Sequence, residues 1–235
     1  MIAQVHTFLQ FLLFVWGQTF FPFPGNPPAA ASSPTVSHFC QNNTFGTTIT
    51  CAFGTTPTGN ELILTMNFIG TGTFAAPTGT NCGTWSTQAF TGASSGTQAV
   101  YKSTGAGGGS CTVSEVMASG SATNIFMAVR DISNYTAFDG TVLPTFSSDA
   151  SFCTNPCTTP TITPTAANSL VLYDYYSPTN NTVTAPGTFV LDSGTPQALY
   201  NTSIMHYLKV VAGAINSTFV TSSAITYYQG ILAIH

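Results

Sequence analysis

The chain has 235 residues, of which only 4% are charged, and its net charge at pH 7 is −4. A typical globular domain has roughly a quarter of its residues charged, so hydroxyls, amides or attached sugars must hydrate this surface. The only basic residues are Lys102, Arg130 and Lys209. They argue against binding to nucleic acid or to an anionic membrane surface, because both need clustered cations.

The N-terminal segment, residues 1–16, is the most apolar stretch, and a proline-rich linker that cannot be helical follows it up to residue 28. There are three alternatives for this segment: a cleaved secretory signal, a membrane anchor, or a long β-strand. Such a strand could belong to its own domain or be donated to another subunit. The segment lacks the basic start of a signal peptide, although residues 29–33 resemble a cleavage site. Polar residues and the missing basic flank disfavour a membrane helix.

We therefore predict that residues 2–16 form a strand, roughly 50 Å long at about 3.3 Å per residue. Left exposed, such a strand promotes aggregation. We expect it to be donated to a neighbouring subunit, with its anchors at Val5, Leu9, Phe11, Leu13 and Val15.

The remainder of the chain shows the period-two alternation that is typical of half-buried strands. Within residues 61–69, for example, Leu62, Leu64, Met66 and Phe68 fall on one face. Strands are predicted around residues 49–53, 61–69, 83–90, 97–103, 110–117, 124–132, 169–176, 187–191, 204–211 and 224–235. No stretch shows a helical period, so we predict an all-β chain. Its body, residues 29–235, should be a single antiparallel β-sandwich of jelly-roll or immunoglobulin-like type.

One pattern occurs twice. Residues 56–64, TPTGNELIL, resemble residues 163–172, TPTAANSLVL, and each is a turn leading into an aliphatic strand. A single repeat at this separation predicts equivalent places in the two halves of one sandwich, not a solenoid.

The six cysteines predict disulfides formed in an oxidising compartment. Six cysteines allow 15 pairings, and the sequence-local ones are the simplest: Cys40–Cys51, Cys82–Cys111 and Cys153–Cys157. A metal site is not predicted, since no Cys-x-x-Cys occurs and the histidines are scattered.

Five Asn-x-Ser/Thr sequons begin at Asn42, Asn134, Asn180, Asn201 and Asn216. Each one alone is weak evidence. Glycans would nevertheless hydrate a nearly uncharged extracellular protein, so we expect two or more sequons to be occupied. No other cofactor is predicted.

The sequence offers one candidate ligand-binding arrangement and one candidate catalytic arrangement. Trp85, Tyr101, Tyr173, Tyr175 and Tyr176 would suit a sugar platform, although packing in the core is the favoured interpretation. His206 with Asp174 would suit a hydrolase, but no Gly-x-Ser-x-Gly elbow is present, and an enzyme is not predicted. Arg130 and Asp131 should point to opposite faces of their strand.

The order of the two turns, the strand bearing Tyr101 and the glycine-rich hairpin into Cys111 resembles jelly-roll modules of secreted bacterial and phage-associated surface proteins. This likeness covers residues 45–235. The apolar extension ahead of a Thr/Gly/Asn-rich sandwich is similar to pilus-like subunits of extracellular filaments built by donor-strand complementation. That resemblance implies a structural protein outside the cell whose partners are copies of itself, with no membrane in the mature form. A sugar-binding or adhesin module is the alternative, and a secreted hydrolase is the third hypothesis.

Overall fold

The structure is a computed structural model that describes residues 32–56, 58–93, 96–104, 107–139, 151–153, 156–158, 161–177, 183–184, 189–197, 200–209, 212–215, 218–221 and 225–235. The chain divides into two units, Met1–Ser32 and Ser33–His235. The predicted arm and linker, residues 1–28, fall in the first unit and outside the described residues. The donor-strand anchors Val5, Leu9, Phe11, Leu13 and Val15 therefore stay predictions.

The described residues of the second unit form antiparallel strands, with no helix among them, which confirms the predicted all-β sandwich class. The strands are β1 (Thr35–Thr44), β2 (Thr48–Thr56), β3 (Glu61–Phe74), β4 (Thr84–Ala93), β5 (Gly96–Thr104), β6 (Gly109–Ser133), β7 (Ser151–Cys153), β8 (Cys157–Thr158), β9 (Ser169–Ser177), β10 (Val183–Thr184), β11 (Val190–Gln197), β12 (Tyr200–Lys209), β13 (Thr218–Thr221) and β14 (Ile225–Ile234).

Three sheets result. The first has the order β1-β6-β3-β5-β4, with β2 also paired to β6; the second has the order β11-β12-β9-β14-β7; the third, a small sheet, has the order β10-β13-β8. The strands that follow the two repeated turns are β3 and β9. The strand β3 is third in the path of five strands within the six-stranded first sheet, and β9 is third of the five strands of the second sheet. The repeat thus marks equivalent central positions in two sheets, as predicted.

The 25-residue strand β6 folds the first sheet over on itself. Cys40 lies opposite Val129 and Cys51 lies opposite Val113. Those two positions of β6 would be roughly 50 Å apart in a straight strand at about 3.3 Å per residue, yet the Cα atoms of Cys40 and Cys51 are 5.8 Å apart. The first half of β6, together with β2, must therefore turn back over the sheet.

Glycines permit this bend. Gly120 has a φ of 86°, which side chains rarely adopt. It pairs with Gly72 of β3, where an added Cβ would lie 2.5 Å from the Ser119 carbonyl oxygen.

Both faces of the first sheet are covered. The fold-over encloses an apolar cluster, here called the folded-sheet core, that includes Leu62, Leu64 and Met66 of β3. This confirms the predicted face for these three residues, while the Phe68 side chain lies outside the description. On the opposite face, Ile63 packs with Leu170, Leu172 and Leu232 of the second sheet, which gives the face-to-face packing of a sandwich.

Candidate functional sites

Two of the three predicted disulfides, Cys40–Cys51 and Cys82–Cys111, are formed. Both staple the folded-sheet core, because Cys40–Cys51 joins β1 to β2 and Cys82–Cys111 joins the segment after β3 to β6. Cys157 is also disulfide-bonded. Its predicted pairing with Cys153 stays a prediction, since the side chain of Cys153 lies outside the description.

An ion pair is buried between the two large sheets. The Arg130 guanidinium, on β6, donates a hydrogen bond to the Asp174 carboxylate, on β9, and the side chains of the two residues are 0% and 3% exposed. Arg130 also donates to the Tyr173 carbonyl oxygen at 3.4 Å. One step along the interface, the rings of Phe126 and Tyr176 stack with their centroids 6.0 Å apart. The pair therefore joins the sheets in a dry, packed environment.

This arrangement gives the Asp174 carboxylate a cationic partner on the facing sheet. In the strand register, Asp174 lies opposite Ile204, while His206 lies opposite Leu172. The side chain of His206 is outside the described part of the chain. Nothing in the described part of the chain places the side chains of His206 and Asp174 next to each other.

Asp131 points away from Arg130, as its position on the same strand predicts. Its buried carboxylate lies 3.0 Å from His38 Nδ1 and accepts a hydrogen bond of 2.7 Å from Asn60 Nδ2. Asn60 ends the first of the two repeated turns, so Asp131 fixes the turn that leads into β3.

A second aspartate fixes the other repeated turn. The Asp139 carboxylate accepts hydrogen bonds from the Thr165 backbone N–H (2.8 Å), the Thr165 hydroxyl (2.7 Å), the Ala166 N–H and the Ser169 hydroxyl. Burial alone would raise the pKa of Asp139, but the hydrogen bonds from Ser169, Thr165 and Ala166 outweigh it and lower this pKa. The repeat is thus structural as well as sequential, because a buried carboxylate holds each turn.

Glu115 is an acid buried in the folded-sheet core. It is 0% exposed, and neither carboxylate oxygen has a hydrogen-bond partner among the described residues. Burial raises the pKa of Glu115 to about 8, so the side chain is mainly neutral at pH 7. Burial also raises the pKa of Tyr101, and the charge that Glu115 carries above its own pKa raises it further. The alternation Cys111, Val113, Glu115 could have revealed this burial from the sequence.

The aromatic sugar platform considered from the sequence does not exist at these positions. Tyr101, Tyr173, Tyr175 and Tyr176 are at most 4% exposed. The side chain of Trp85 is partly buried against the folded-sheet core. Tyr173 and Tyr175 do share a face, but it belongs to the apolar cluster beneath the second sheet.

Two of the predicted glycosylation sites have described side chains, and both are exposed. Asn42 lies on β1 and donates from Nδ2 to the Thr50 carbonyl oxygen at 2.7 Å. Asn134 follows β6 with a φ of 56° and donates to the Ser33 carbonyl oxygen at 3.1 Å. Asn201 is described only by its backbone, on β12, while Asn180 and Asn216 lie outside the described residues.

Comparison with protein-family models, with curated proteins and with solved structures finds no match for this chain. The described residues contain no helix able to cross a membrane. By its fold, the protein is an all-β sandwich stapled by disulfides.

Proposed function

We propose that this protein is the structural subunit of an extracellular filament, in which each copy donates its N-terminal strand to a neighbouring copy. The observation that carries the proposal is the arm itself. Residues 1–28 contain no Asp, Glu, Lys or Arg, and residues 2–16 are rich in large apolar side chains. A strand of this kind is stable only where its backbone and its apolar side chains are covered.

The composition of the body supports association between copies. With a net charge of −4 spread over 235 residues, copies meet with little electrostatic repulsion. Contacts in which different surfaces of identical subunits meet generate open filaments when the rotation does not close.

The cysteines support an extracellular location. Cys40–Cys51 and Cys82–Cys111 are formed, and structural disulfides are typical of proteins that fold in an oxidising compartment. N-linked glycans at the exposed Asn42 and Asn134 would supply hydration that the few charged residues cannot.

No specific observation favours the sugar-binding alternative, because four of the five candidate aromatic residues are buried. The hydrolase hypothesis gains no support from the described residues, since the Asp174 carboxylate is engaged by Arg130.

The test compares two full-length variants with equal added charge. Leu9→Asp/Leu13→Asp places charge at anchor positions of the arm, and Gln4→Asp/Gln10→Asp places it at polar positions of the same segment. Negative-stain electron microscopy and light scattering should show filaments for the wild type and for the Gln variant, and monomers for the Leu variant. Monomeric wild-type protein would refute the proposal, as would filaments of the Leu variant.

A further inference from the structure

We propose that the outer edge of β4, Thr84–Ala93, accepts the N-terminal arm of a neighbouring copy by adding it as a further strand of the first sheet. The inference rests on the proposed function and adds the location at which the arm binds.

The two large sheets have five edge strands among the described residues: β1, β2, β4, β7 and β11, of which β2 pairs with β6 alone. Natural proteins blunt such edges with charge, proline, short length or a cover. The strand β7 has three residues. The strand β11 contains Asp192 and Pro196, and proline cannot donate to a strand ladder.

The edges formed by β1 and β2 are tied to each other. The disulfide Cys40–Cys51 ties β1 to β2, and Asn42 Nδ2 donates to the Thr50 carbonyl oxygen of β2 at 2.7 Å. An incoming strand would have to displace these links.

The strand β4 has none of these protections. Its ten residues, TWSTQAFTGA, contain neither charge nor proline. Within the described part of the chain, it pairs with β5 on one side only. At about 3.3 Å per residue it offers an edge roughly 33 Å long.

One exposed side-chain hydrogen bond lies within β4. The Gln88 amide, at the register shift of β4, donates to the exposed Ser86 carbonyl oxygen at 3.4 Å and to its hydroxyl at 2.8 Å. Because the Gln88 bond is exposed, little is lost when the amide turns to water.

The N-terminal arm of another copy matches this edge in chemistry and in length. Both segments lack formal charge apart from the histidine at position 6, so neither contributes repulsion. The arm, residues 2–16, is long enough to pair along all ten residues of β4.

The position at which the chain enters the body sets the geometry of a contact between copies. The Ser33 carbonyl oxygen is held by Asn134 Nδ2 at 3.1 Å, next to the start of β1. The strands β1 and β4 lie at opposite edges of their sheet, four strand spacings apart, or roughly 19 Å at about 4.8 Å per spacing. Donor exit and acceptor edge on opposite sides give a head-to-tail contact, which propagates and does not close as a symmetric dimer.

The experiment uses full-length variants that differ only in where two lysines are added. Thr84→Lys/Thr87→Lys charges the β4 edge, and Thr48→Lys/Thr50→Lys charges exposed positions of β2 as a matched control. We expect the β4 variant to lose assembly by at least tenfold, measured by sedimentation and electron microscopy. The β2 variant should assemble like the wild type, and circular dichroism should show both variants folded.

A photo-crosslinking residue at position 87 tests the occupant directly. In filaments co-assembled from ¹⁴N- and ¹⁵N-labelled protein, mixed-isotope crosslinks to arm peptides would support donation between copies. Same-isotope crosslinks alone would overturn it.

The two hypotheses can fail separately. If the arm variant Leu9→Asp/Leu13→Asp abolishes assembly while a folded β4 variant assembles normally, the acceptor assignment is wrong and donation stands. If the arm variant assembles normally, the proposed function itself fails.

Discussion

Breaking the buried ion pair between the two large sheets should destabilise the protein more than breaking a second ion pair, Lys102–Glu61, which is partly exposed. Arg130→Met leaves the Asp174 carboxylate, 3% exposed, without its cation. Removing one partner of a buried pair costs about 3–5 kcal/mol, because the other charge stays buried without compensation. Replacing both partners by apolar residues, as in Arg130→Met/Asp174→Leu, should restore most of that loss.

The matched control is the pair Lys102–Glu61, whose atoms are 3.7 Å apart and whose side chains are 19% and 18% exposed. A pair that water partly screens contributes about 0–1 kcal/mol. Lys102 also lies over the Tyr135 ring, 4.9 Å from its centroid, so Lys102→Met should lower the free energy of unfolding by about 1–2 kcal/mol. Urea titration followed by tryptophan fluorescence and circular dichroism at pH 7 measures all four proteins. The reasoning is refuted if Arg130→Met costs as little as the control, or if the double variant is less stable than Arg130→Met alone.

Three further outcomes follow from the described contacts. Because the pKa of Glu115 is raised to about 8, the free energy of unfolding of the wild type should fall by on the order of 5 kcal/mol as the pH rises from about 4.5 to 8. Urea titrations of Glu115→Gln at several pH values should show that this dependence on pH is lost. The lowered pKa of Asp139 has the opposite effect on stability: the ionised Asp139 carboxylate stabilises the fold above pH about 4, and this stabilisation is lost on acidification. Asp139→Asn should therefore be less stable than the wild type by about 1–3 kcal/mol at pH 7. In the same titrations, its stability should fall less on acidification. Cys82→Ala/Cys111→Ala opens a loop of sequence separation 29 and should cost about 3–4 kcal/mol, measured by calorimetry, whereas no loss would contradict the stapling role.

Local patterns predicted much of the fold. The alternation in residues 61–69 predicted which side chains of β3 enter the folded-sheet core, and short spacing predicted Cys40–Cys51 and Cys82–Cys111. These features depend on neighbours in sequence, so one stretch at a time contains the necessary information.

Other features depend on partners far along the chain. The strand β1, TVSHFCQNNT, has mostly polar residues and no apolar alternation, so only its pairing with β6 makes it a strand. The sequence predicted that Arg130 and Asp131 face apart, but not that Arg130 meets Asp174 on a different sheet. Burial of Glu115 likewise depends on β2 and β6 folding back over β3.

The bend in β6 explains why the sequence suggested two strands where there is one. Residues 118–123, ASGSAT, lack the alternation of a half-buried strand, and a break in pattern usually indicates a turn. Here, Gly120 and Ser121 remain paired with Gly72 and Thr71 of β3, so the backbone ladder continues through the bend. The neighbouring strand bends with β6, and its own glycine supplies the space. The bend is therefore a property of the pair of strands, and neither segment read alone specifies it.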